Sequence, residues 1–371
     1  MTAIAAILLL MLILYVIKIR YYQYKWEQYP EFKSNSNAVT AEISVIVAFR
    51  NEITSLDALL NSLNSQVYPS DSFEVILVND HSEDGSDMLA QRFCEEHRNF
   101  RLLHNDKALS GKKSAVMKGV KCASCELIVT TDADCTLHEH WLSTIACIYR
   151  EKNADMIVGL VDMVPDKGFF SGFQEIEFLS LVAAGAGAIA GDHPLYCNGA
   201  CFAYRKSAFL ALTDPLVQHI ASGDDTLFLH KLKQDKTRSI VLLKAVPAIV
   251  TTRGASTLHE FLQQRKRWVS KSPYYHDFDT LYTGMLVFLV SLSLLFSMIL
   301  LTAGLNVWLF PLIYSVKMVT DLYFLRNFLR FYGKNLPFLP FMLYELVYPF
   351  YVVYLAIAGI SSGFDWKGRR Y

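Results

Sequence analysis

Two aspartates separated by one residue, Asp132 and Asp134, have a spacing suited to chemistry. The apolar run 127–129 precedes them, and its short length and β-branching favour a strand buried on both faces of a parallel sheet. Acids at the carboxyl end of such a strand lie where open α/β sheets bind ligands. Two close carboxylates repel each other unless a cation lies between them, so the pair predicts Mg²⁺ or Mn²⁺ carrying a phosphorylated ligand. The alternative is a polar turn in which an aspartate caps the next helix.

A second acidic pair, Asp224 and Asp225, directly precedes the apolar helical stretch 226–232. One interpretation is that these acids cap the helix and interact favourably with its dipole. The other is that Asp225 is a general base, which requires a carboxylate within hydrogen-bond reach of an acceptor hydroxyl. The sequence Asn198-Gly199-Ala200 could shape the wall of a pocket.

Alternating strands and helices between residues 41 and 248 position these acids. The strands are expected at 43–48, 75–78, 101–104, 127–131 and 155–161, with helices at 52–65, 87–97, 112–122 and 138–150. This alternation predicts βαβ units and a parallel sheet. Right-handed crossovers then place the loops after three strands along one edge of the sheet. These loops carry Glu52, Asp80 and the Asp132/Asp134 pair.

The amino-terminal stretch 2–17 carries no charge and is followed at once by Lys18, Arg20 and Lys25. A signal peptide has its positive charges before the apolar run, so this order predicts an uncleaved anchor with the following domain in the cytoplasm. Residues 281–303 and 338–360 are two further predicted spans. The stretch 307–325 holds charges four residues apart, and the positive-inside rule does not settle its placement. We expect three spans in all, in an integral protein of the inner or plasma membrane.

Composition excludes other classes. Formal charge is balanced at +0, so the chain has no electrostatic footprint for nucleic acid. The seven cysteines, all between Cys94 and Cys201, are expected to be reduced thiols of a cytosolic domain. Residues 110–114 lack the leading glycine of a P-loop, although Lys112 could meet phosphate as a point charge or lie at a solvated helix start. The stretch 169–190 contains two glutamates, which favours a helix packed inside the domain over a span.

Gln264, Arg267 and Trp268 are expected to share one helical face. The indole could stack on a sugar, and Arg267 could pair with a diphosphate. The alternative is a basic amphipathic helix at a membrane surface, and the two interpretations are compatible.

Together these stretches resemble the membrane-bound family 2 glycosyltransferases, a group that includes cellulose and hyaluronan synthases and ceramide glucosyltransferases. The matching segments, in the family's order, are 44–52, Val78-Asn79-Asp80, Asp132-Ala133-Asp134, Gly223-Asp224-Asp225, Gln264 to Trp268, and Trp366-Lys367-Gly368-Arg369. Two positions depart from the family pattern. Asn79 replaces the usual second aspartate, and Asp224 stands where glutamate is frequent.

The resemblance implies a GT-A fold, which is Rossmann-like with a mostly parallel sheet, and inverting transfer of a sugar from a nucleotide donor, most simply a UDP-sugar. It implies donor-binding roles for Ala48, Arg50, Glu52, Asp80, Asp132 and Arg267, and we add Lys112 to the predicted donor-binding residues as a point charge for phosphate. It implies acceptor-binding roles for Gln264 and Trp268, to which we add Asn198 of the predicted pocket wall. It also implies catalytic roles for Asp225 and Asp224, and Mg²⁺ or Mn²⁺ bound by Asp134 and Asp132.

The expected domains are an anchor at 1–20, a glycosyltransferase domain at 41–278, a membrane region at 279–363 and a basic tail at 364–371. The acceptor is expected to be a lipid or a glycan at the membrane. Single transfer to a lipid and processive polymer synthesis both remain open. The alternative from another class is a catalytically silent scaffold or nucleotide-sugar sensor.

Overall fold

The computed structural model describes residues 2–33, 40–106, 110–218, 220, 223–361, 365–366 and 369–370. Contacts divide the chain into two compact units. The α/β unit comprises Pro30–Val164 and Tyr196–Arg253, and the helical unit comprises Met1–Tyr29, Pro165–Leu195 and Gly254–Tyr371. Residues 165–195 and 254–278, which the sequence assigns to the catalytic domain, thus belong by their contacts to the helical unit.

The described elements follow the predicted alternation. The helices are α1 Thr2–Gln28, α2 Leu56–Asn64, α3 Ser86–Glu96, α4 Lys112–Cys122, α5 Trp141–Lys152, α6 Phe169–Ala190, α7 Lys206–Leu210, α8 Asp224–Gln234, α9 Leu258–Val269, α10 Phe278–Thr302, α11 Leu309–Phe331 and α12 Phe338–Ser361. The strands are β1 Ile43–Phe49, β2 Phe73–Asn79, β3 Phe100–His104, β4 Leu127–Thr130, β5 Met156–Val158, β6 Val161–Val164, β7 Phe202–Arg205, β8 Ile240–Leu242, β9 Val250–Arg253, β10 Asp365–Trp366 and β11 Arg369–Arg370.

The main sheet has seven strands in the order β3-β2-β1-β4-β7-β5-β8. The β1–β2, β1–β4, β2–β3 and β5–β8 pairs are parallel, whereas β7 runs antiparallel to β4 and β5. Strands β1, β2 and β4 are buried almost throughout, as strands covered on both faces must be. The mostly parallel α/β sheet predicted from the sequence is confirmed.

The carboxyl ends of β1, β2 and β3 lie at one level of the sheet. Phe49 pairs with Asn79, and Asn79 pairs with His104. The loops that begin at Arg50, Asp80 and Asn105 therefore leave the sheet side by side.

The predicted single strand 155–161 is instead two strands that join different sheets. β5 pairs with β7 and β8, whereas β6 pairs with β9. The chain changes sheet at Gly159, whose N–H donates to the carbonyl of Cys201 at 2.8 Å. A Cβ on Gly159 would lie 2.2 Å from Cys201 Sγ, so only a residue without a side chain permits this approach.

Within the helical unit, α1, α10 and α11 share an apolar core formed by Leu12, Leu294, Leu309 and Ile313. By length and composition, four described helices could cross a membrane, at Ala3–Gln28, Phe169–Ala190, Phe278–Thr302 and Phe338–Gly359. The apolar amino-terminal helix thus extends beyond the predicted boundary at residue 20.

Helix α6 is largely buried, and it packs against α1 within the helical unit. A Cβ on Gly187 would lie 2.7 Å from the carbonyl oxygen of Tyr22, so the two helices approach closely there. One turn later, the hydroxyl of Tyr21 donates to the carbonyl of Gly191 at 3.1 Å. This helix is thus packed inside the protein against the amino-terminal helix, and its place in the predicted catalytic domain stays a prediction.

The carboxyl-terminal strands β10 and β11 pair antiparallel. Lys367 and Gly368, the centre of the predicted tail motif, lie outside the described residues.

Candidate active site

The ammonium group of Lys112 joins the two acidic pairs of the α/β unit. Lys112 opens α4, Asp132 follows β4 and Asp224 opens α8. Its Nζ donates a hydrogen bond to Asp132 Oδ1 at 2.6 Å and lies 3.4 Å from Asp224 Oδ2. Burial alone lowers the pKa of Lys112, but the charges of Asp132 and then Asp224 outweigh burial and hold this pKa above its ordinary value. Lys112 is therefore a charged group between two acids and not part of a solvated helix start.

Both carboxylate oxygens of Asp225 accept backbone hydrogen bonds. The N–H of Gly199 donates to Oδ2 at 2.9 Å, and the N–H of Thr226 donates to Oδ1 at 2.6 Å. A Cβ on Gly199 would lie 3.2 Å from Lys112 Nζ and 3.4 Å from Asp225 Oδ2, so the absent side chain lets the backbone reach the carboxylate. A carboxylate oxygen can accept more than one hydrogen bond, so these contacts orient Asp225 without by themselves preventing proton transfer.

Asn198 shapes the turn that presents Gly199. Its Oδ1 accepts a hydrogen bond from the N–H of Ala200 at 3.0 Å, and its side chain is half-buried. The Asn-Gly sequence is a turn signal. A contact between Asn198 and an acceptor stays a prediction.

Asp134 is the exposed member of the Asp132/Asp134 pair. In the part of the chain that the structure describes, no group of three or more His, Cys, Asp or Glu side chains could enclose a metal. Mg²⁺ at phosphate sites is held by one or two carboxylates and takes its other ligands from substrate and water. An exposed Asp134, with Asp132 two residues away and hydrogen-bonded to Lys112, fits this kind of site.

The carboxylate of Asp80 holds the beginning of α4. Asp80 is 2% exposed, and it accepts hydrogen bonds from Asn105 Nδ2 at 2.8 Å and from the N–H of Gly111 at 2.9 Å. Asn105 Nδ2 also donates to Ser114 Oγ at 2.7 Å. Asp80 therefore fixes the turn from which Lys112 extends, and its predicted contact with the nucleotide stays a prediction.

Arg50 is hydrogen-bonded to the backbone of the loop after β2. Its Nη1 donates to the carbonyl oxygens of Asp80 and His81, both at 2.9 Å. Ala48 lies in β1, and Glu52 lies in the loop after it. The predicted donor-binding residues of these loops thus lie at the carboxyl edge of the sheet.

Gln264, Arg267 and Trp268 lie on α9, in the helical unit. The structure therefore brings Lys112, Asp132, Asp224 and Asp225 together in one unit, and the three α9 residues belong to the other. The donor and acceptor roles of these three residues stay predictions.

A buried ion pair beside Trp268 escaped the sequence analysis. Arg265 is 1% exposed, and its Nε lies 3.2 Å and 3.0 Å from the two carboxylate oxygens of Glu177. Its guanidinium also lies 4.5 Å from the ring centroid of Phe261 and 4.1 Å from that of Trp268. The hydroxyl of Tyr351 donates to Glu177 as well, at 2.7 Å. The available signal was a cation four residues after one aromatic and three before another, on one helical face.

The sequence is similar to those of known glycosyltransferases. Residues 44–212 match the family model described as glycosyl transferase family 2. The chain is 24% identical over 365 residues to an N-acetylglucosaminyltransferase of Rhizobium leguminosarum bv. viciae. The alignment covers 90% of this chain and 82% of that protein. It is 29% identical over 126 residues to the glycosyltransferase AglE of Haloferax volcanii, which covers 34% of this chain and 41% of AglE. The chain thus aligns with less than half of AglE.

Among solved structures, the mannosyltransferase PcManGT of Pyrobaculum calidifontis, in complex with GDP-Man and Mn²⁺, is similar with a TM-score of 0.59. The sequence identity is 15%, and the alignment covers 96% of this chain and 98% of that one. This similarity concerns the fold, and it confirms the GT-A architecture expected from the sequence.

Proposed function

Because residues 44–212 match the glycosyl transferase family 2 model, we propose that this chain is a family 2 glycosyltransferase that moves a sugar from a nucleoside-diphosphate donor, a UDP-sugar, to a lipid or glycan acceptor at a membrane. One arrangement supports the proposal most: Lys112 joins Asp132 to Asp224, and backbone N–H groups orient Asp225 next to them. A charged group for a phosphorylated donor and a carboxylate base thus lie together in the α/β unit.

Asp225 performs the proton transfer. Its carboxylate takes the proton of the acceptor hydroxyl while the hydroxyl oxygen attacks the anomeric carbon of the donor. The bond from that carbon to the diphosphate oxygen breaks, its electron pair leaves with the nucleoside diphosphate, and the anomeric configuration is inverted. General-base catalysis of this kind contributes roughly 10²–10⁴-fold to the rate.

Lys112 and Asp224 make the two acids of this pair unequal. Asp224 lies on the Lys112 side at 3.4 Å, whereas Asp225 is held by Gly199 and Thr226. Asp224 therefore positions Lys112, and Asp225 serves as the base. Lys112 also supplies a compact positive charge for the donor phosphates.

Mg²⁺ or Mn²⁺ would be held by Asp134 with Asp132 and would supply positive charge to offset the charge that develops on the leaving diphosphate. The basic residues Lys18, Arg20 and Lys25 after the apolar part of α1 favour a cytoplasmic catalytic domain on an inner or plasma membrane.

The test uses the full chain purified in detergent. A panel of nucleotide sugars is supplied with a membrane lipid extract, and the release of nucleoside diphosphate and the length of the product are measured. We expect one donor to be consumed, with loss of transfer in Asp225→Asn. Asp235→Asn, an exposed aspartate at the other end of α8, is the matched control and is expected to retain transfer.

Two outcomes discriminate the alternatives. Donor binding without turnover of any nucleotide sugar would support a silent scaffold and contradict the proposal. A product with one added sugar indicates single transfer, whereas a ladder of products indicates processive synthesis.

A further inference from the structure

Helix α11 is apolar on its outer face and charged inside. Leu312, Val319 and Tyr323 are 48%, 42% and 56% exposed, whereas Lys317 and Asp321 are 2% and 7% exposed. A helix lying at a water surface shows the opposite distribution, with charged residues outside. The two charged residues in the middle of α11 are thus buried inside the protein.

Helix α11 also runs alongside α1 over most of its length. Leu309 and Ile313, near its beginning, share an apolar core with Leu12. Further along, Asp321 accepts a hydrogen bond from the hydroxyl of Tyr15 at 2.7 Å. Near its end, the ring centroids of Phe328 and Trp26 lie 4.7 Å apart. The contacts advance together along both helices, so α11 is parallel to α1.

Helix α10 completes this bundle. Thr283, near the beginning of α10, is hydrogen-bonded to Tyr22 at 2.9 Å, and Leu294 joins the core that contains Leu12. α10 is therefore antiparallel to α1. Both α1 and α10 have the length and apolarity of membrane spans, and a helix packed along them passes through the same layer.

The buried charged groups of α11 are paired within a cluster of four side chains. Lys317 Nζ lies 2.7 Å from Asp321 Oδ2 and 2.5 Å from Glu345 Oε2, which belongs to α12. Tyr15 of α1 donates to the other oxygen of Asp321. Ionisable groups within a membrane protein are expensive unless they face the protein interior and pair with one another. All members of this Lys317 cluster meet that condition.

We infer that α11 crosses the membrane together with α1 and α10, and that the Lys317 cluster makes this crossing possible. Its 23 residues extend about 34 Å at ~1.5 Å per residue, which is enough for a hydrocarbon core of ~30 Å. The crossing places Arg326 and Arg330, exposed in the last turns of α11, on the same side as Lys25 of α1. It adds residues 307–325 to the three spans expected from the sequence.

The first experiment measures sidedness in intact cells with a membrane-impermeant maleimide, and labelled peptides are identified by mass spectrometry. Leu305→Cys lies before α11 and Asn335→Cys after it, both at exposed positions. Glu83→Cys reports the side of the α/β unit. We expect Leu305→Cys to be labelled in intact cells, and labelling of the other two variants to rise at least tenfold after permeabilisation.

The outcomes separate this inference from the proposed function. Labelling of Leu305→Cys and Asn335→Cys from the same side would overturn the crossing. The reverse pattern, with Asn335→Cys and Glu83→Cys labelled in intact cells, would support the crossing and contradict the cytoplasmic placement of the catalytic unit.

The second experiment tests the cluster by the yield of monodisperse protein in detergent. Lys317→Met leaves two carboxylates without their buried counter-charge, and we expect at least a tenfold lower yield. The triple variant Lys317→Met/Asp321→Asn/Glu345→Gln removes all three charges and is expected to recover to within threefold of the parent. Lys334→Met, which removes a more exposed pair with Glu175, is the matched control and is expected to match the parent. A normal yield for Lys317→Met, or no recovery in the triple variant, would overturn the role of the cluster.

Discussion

Among the described residues, Lys112 and Lys317 each lie between two carboxylates, one in each unit. Lys112 lies 2.6 Å from Asp132 and 3.4 Å from Asp224, and its side chain is 24% exposed. Lys317 lies 2.7 Å from Asp321 and 2.5 Å from Glu345, and its side chain is 2% exposed. Both sites thus combine one ammonium group with two carboxylates. The ammonium group of Lys112 is in contact with solvent, whereas that of Lys317 is not.

The surroundings decide what each lysine can do. Beside Lys112 lie the backbone of Gly199 and the carboxylate of Asp132, which is 33% exposed, so a charged ligand can reach this acid. Around Lys317 lie helices from three parts of the chain, and a tyrosine occupies one carboxylate oxygen. A partly exposed ion pair can exchange its partner for a ligand. A buried ion pair has only a structural role, because removing one partner would leave an unpaired buried charge.

The largest effect is expected from removal of divalent metal. If Lys112 were a sufficient cation for the donor, transfer would continue in chelator. We expect instead that chelator abolishes transfer and that Mg²⁺ or Mn²⁺ restores it, because a lysine does not bridge carboxylate and diphosphate as a metal does. Asp134→Asn is expected to weaken nucleotide-sugar binding as well as turnover. Full activity in chelator would contradict the assignment of a metal to Asp134 and Asp132.

Asp225→Asn is expected to have the next largest effect, a loss of turnover of at least ~10²-fold. An amide cannot accept the proton, and its single oxygen keeps only one of the two N–H donors, Gly199 and Thr226. Loss of one hydrogen bond costs about 1 kcal/mol of stability, so the variant is expected to fold, and its donor affinity, measured by titration, is expected to change little. Asp224→Asn is expected to be milder. Turnover of Asp225→Asn within threefold of the parent, about 0.7 kcal/mol, would place the base elsewhere.

Lys112→Met, set beside Lys317→Met, tests the comparison directly. We expect Lys112→Met to lower turnover roughly tenfold, about 1.4 kcal/mol, because donor phosphates lose a positive charge. Its thermal unfolding midpoint is expected to fall less than that of Lys317→Met, since water can solvate Asp132, which is 33% exposed. Lys317→Met is expected to impair folding instead. Similar stability losses in both variants would contradict the distinction between the two sites.

The smallest effect is expected from Gly199→Ala. The added Cβ would lie 3.2 Å from Lys112 Nζ, a flexible side-chain end that can shift by a few tenths of an ångström. We expect a roughly threefold loss of turnover, about 0.7 kcal/mol, with normal stability. Gly284→Ala, whose Cβ would meet nothing within 4 Å, is the control. Unchanged turnover in Gly199→Ala would show that the close approach is not needed.

The local pattern of apolar and polar residues was sufficient to predict the strands and helices that position the candidate site. Strand β1 was expected at 43–48 and is observed at Ile43–Phe49, and α4 was expected and observed over Lys112–Cys122. Continuous apolar runs signal strands buried on both faces, and acids after such runs must lie at the carboxyl edge. The position of the acidic loops therefore followed from short-range information.

Ion-pair partners that are far apart in the chain could not be predicted from the sequence. Arg265 and Glu177 are 88 residues apart, and no periodicity connects an ion pair across that distance. The spacing of Lys317 and Asp321 was visible, yet Glu345 and Tyr15, which also bond to this pair, come from α12 and α1. The pair alone therefore left the placement of residues 307–325 open.

The place of β7 in the main sheet has a consequence for biosynthesis. β7 lies between β4 and β5 and pairs with both, but the ribosome makes it only after α6, which belongs to the helical unit. Until β7 emerges, β4 and β5 lack the partner that lies between them, and unpaired strand edges are templates for aggregation. The main sheet therefore closes only after a helix of the helical unit has been synthesised, and a fragment that ends at Val164 cannot complete it.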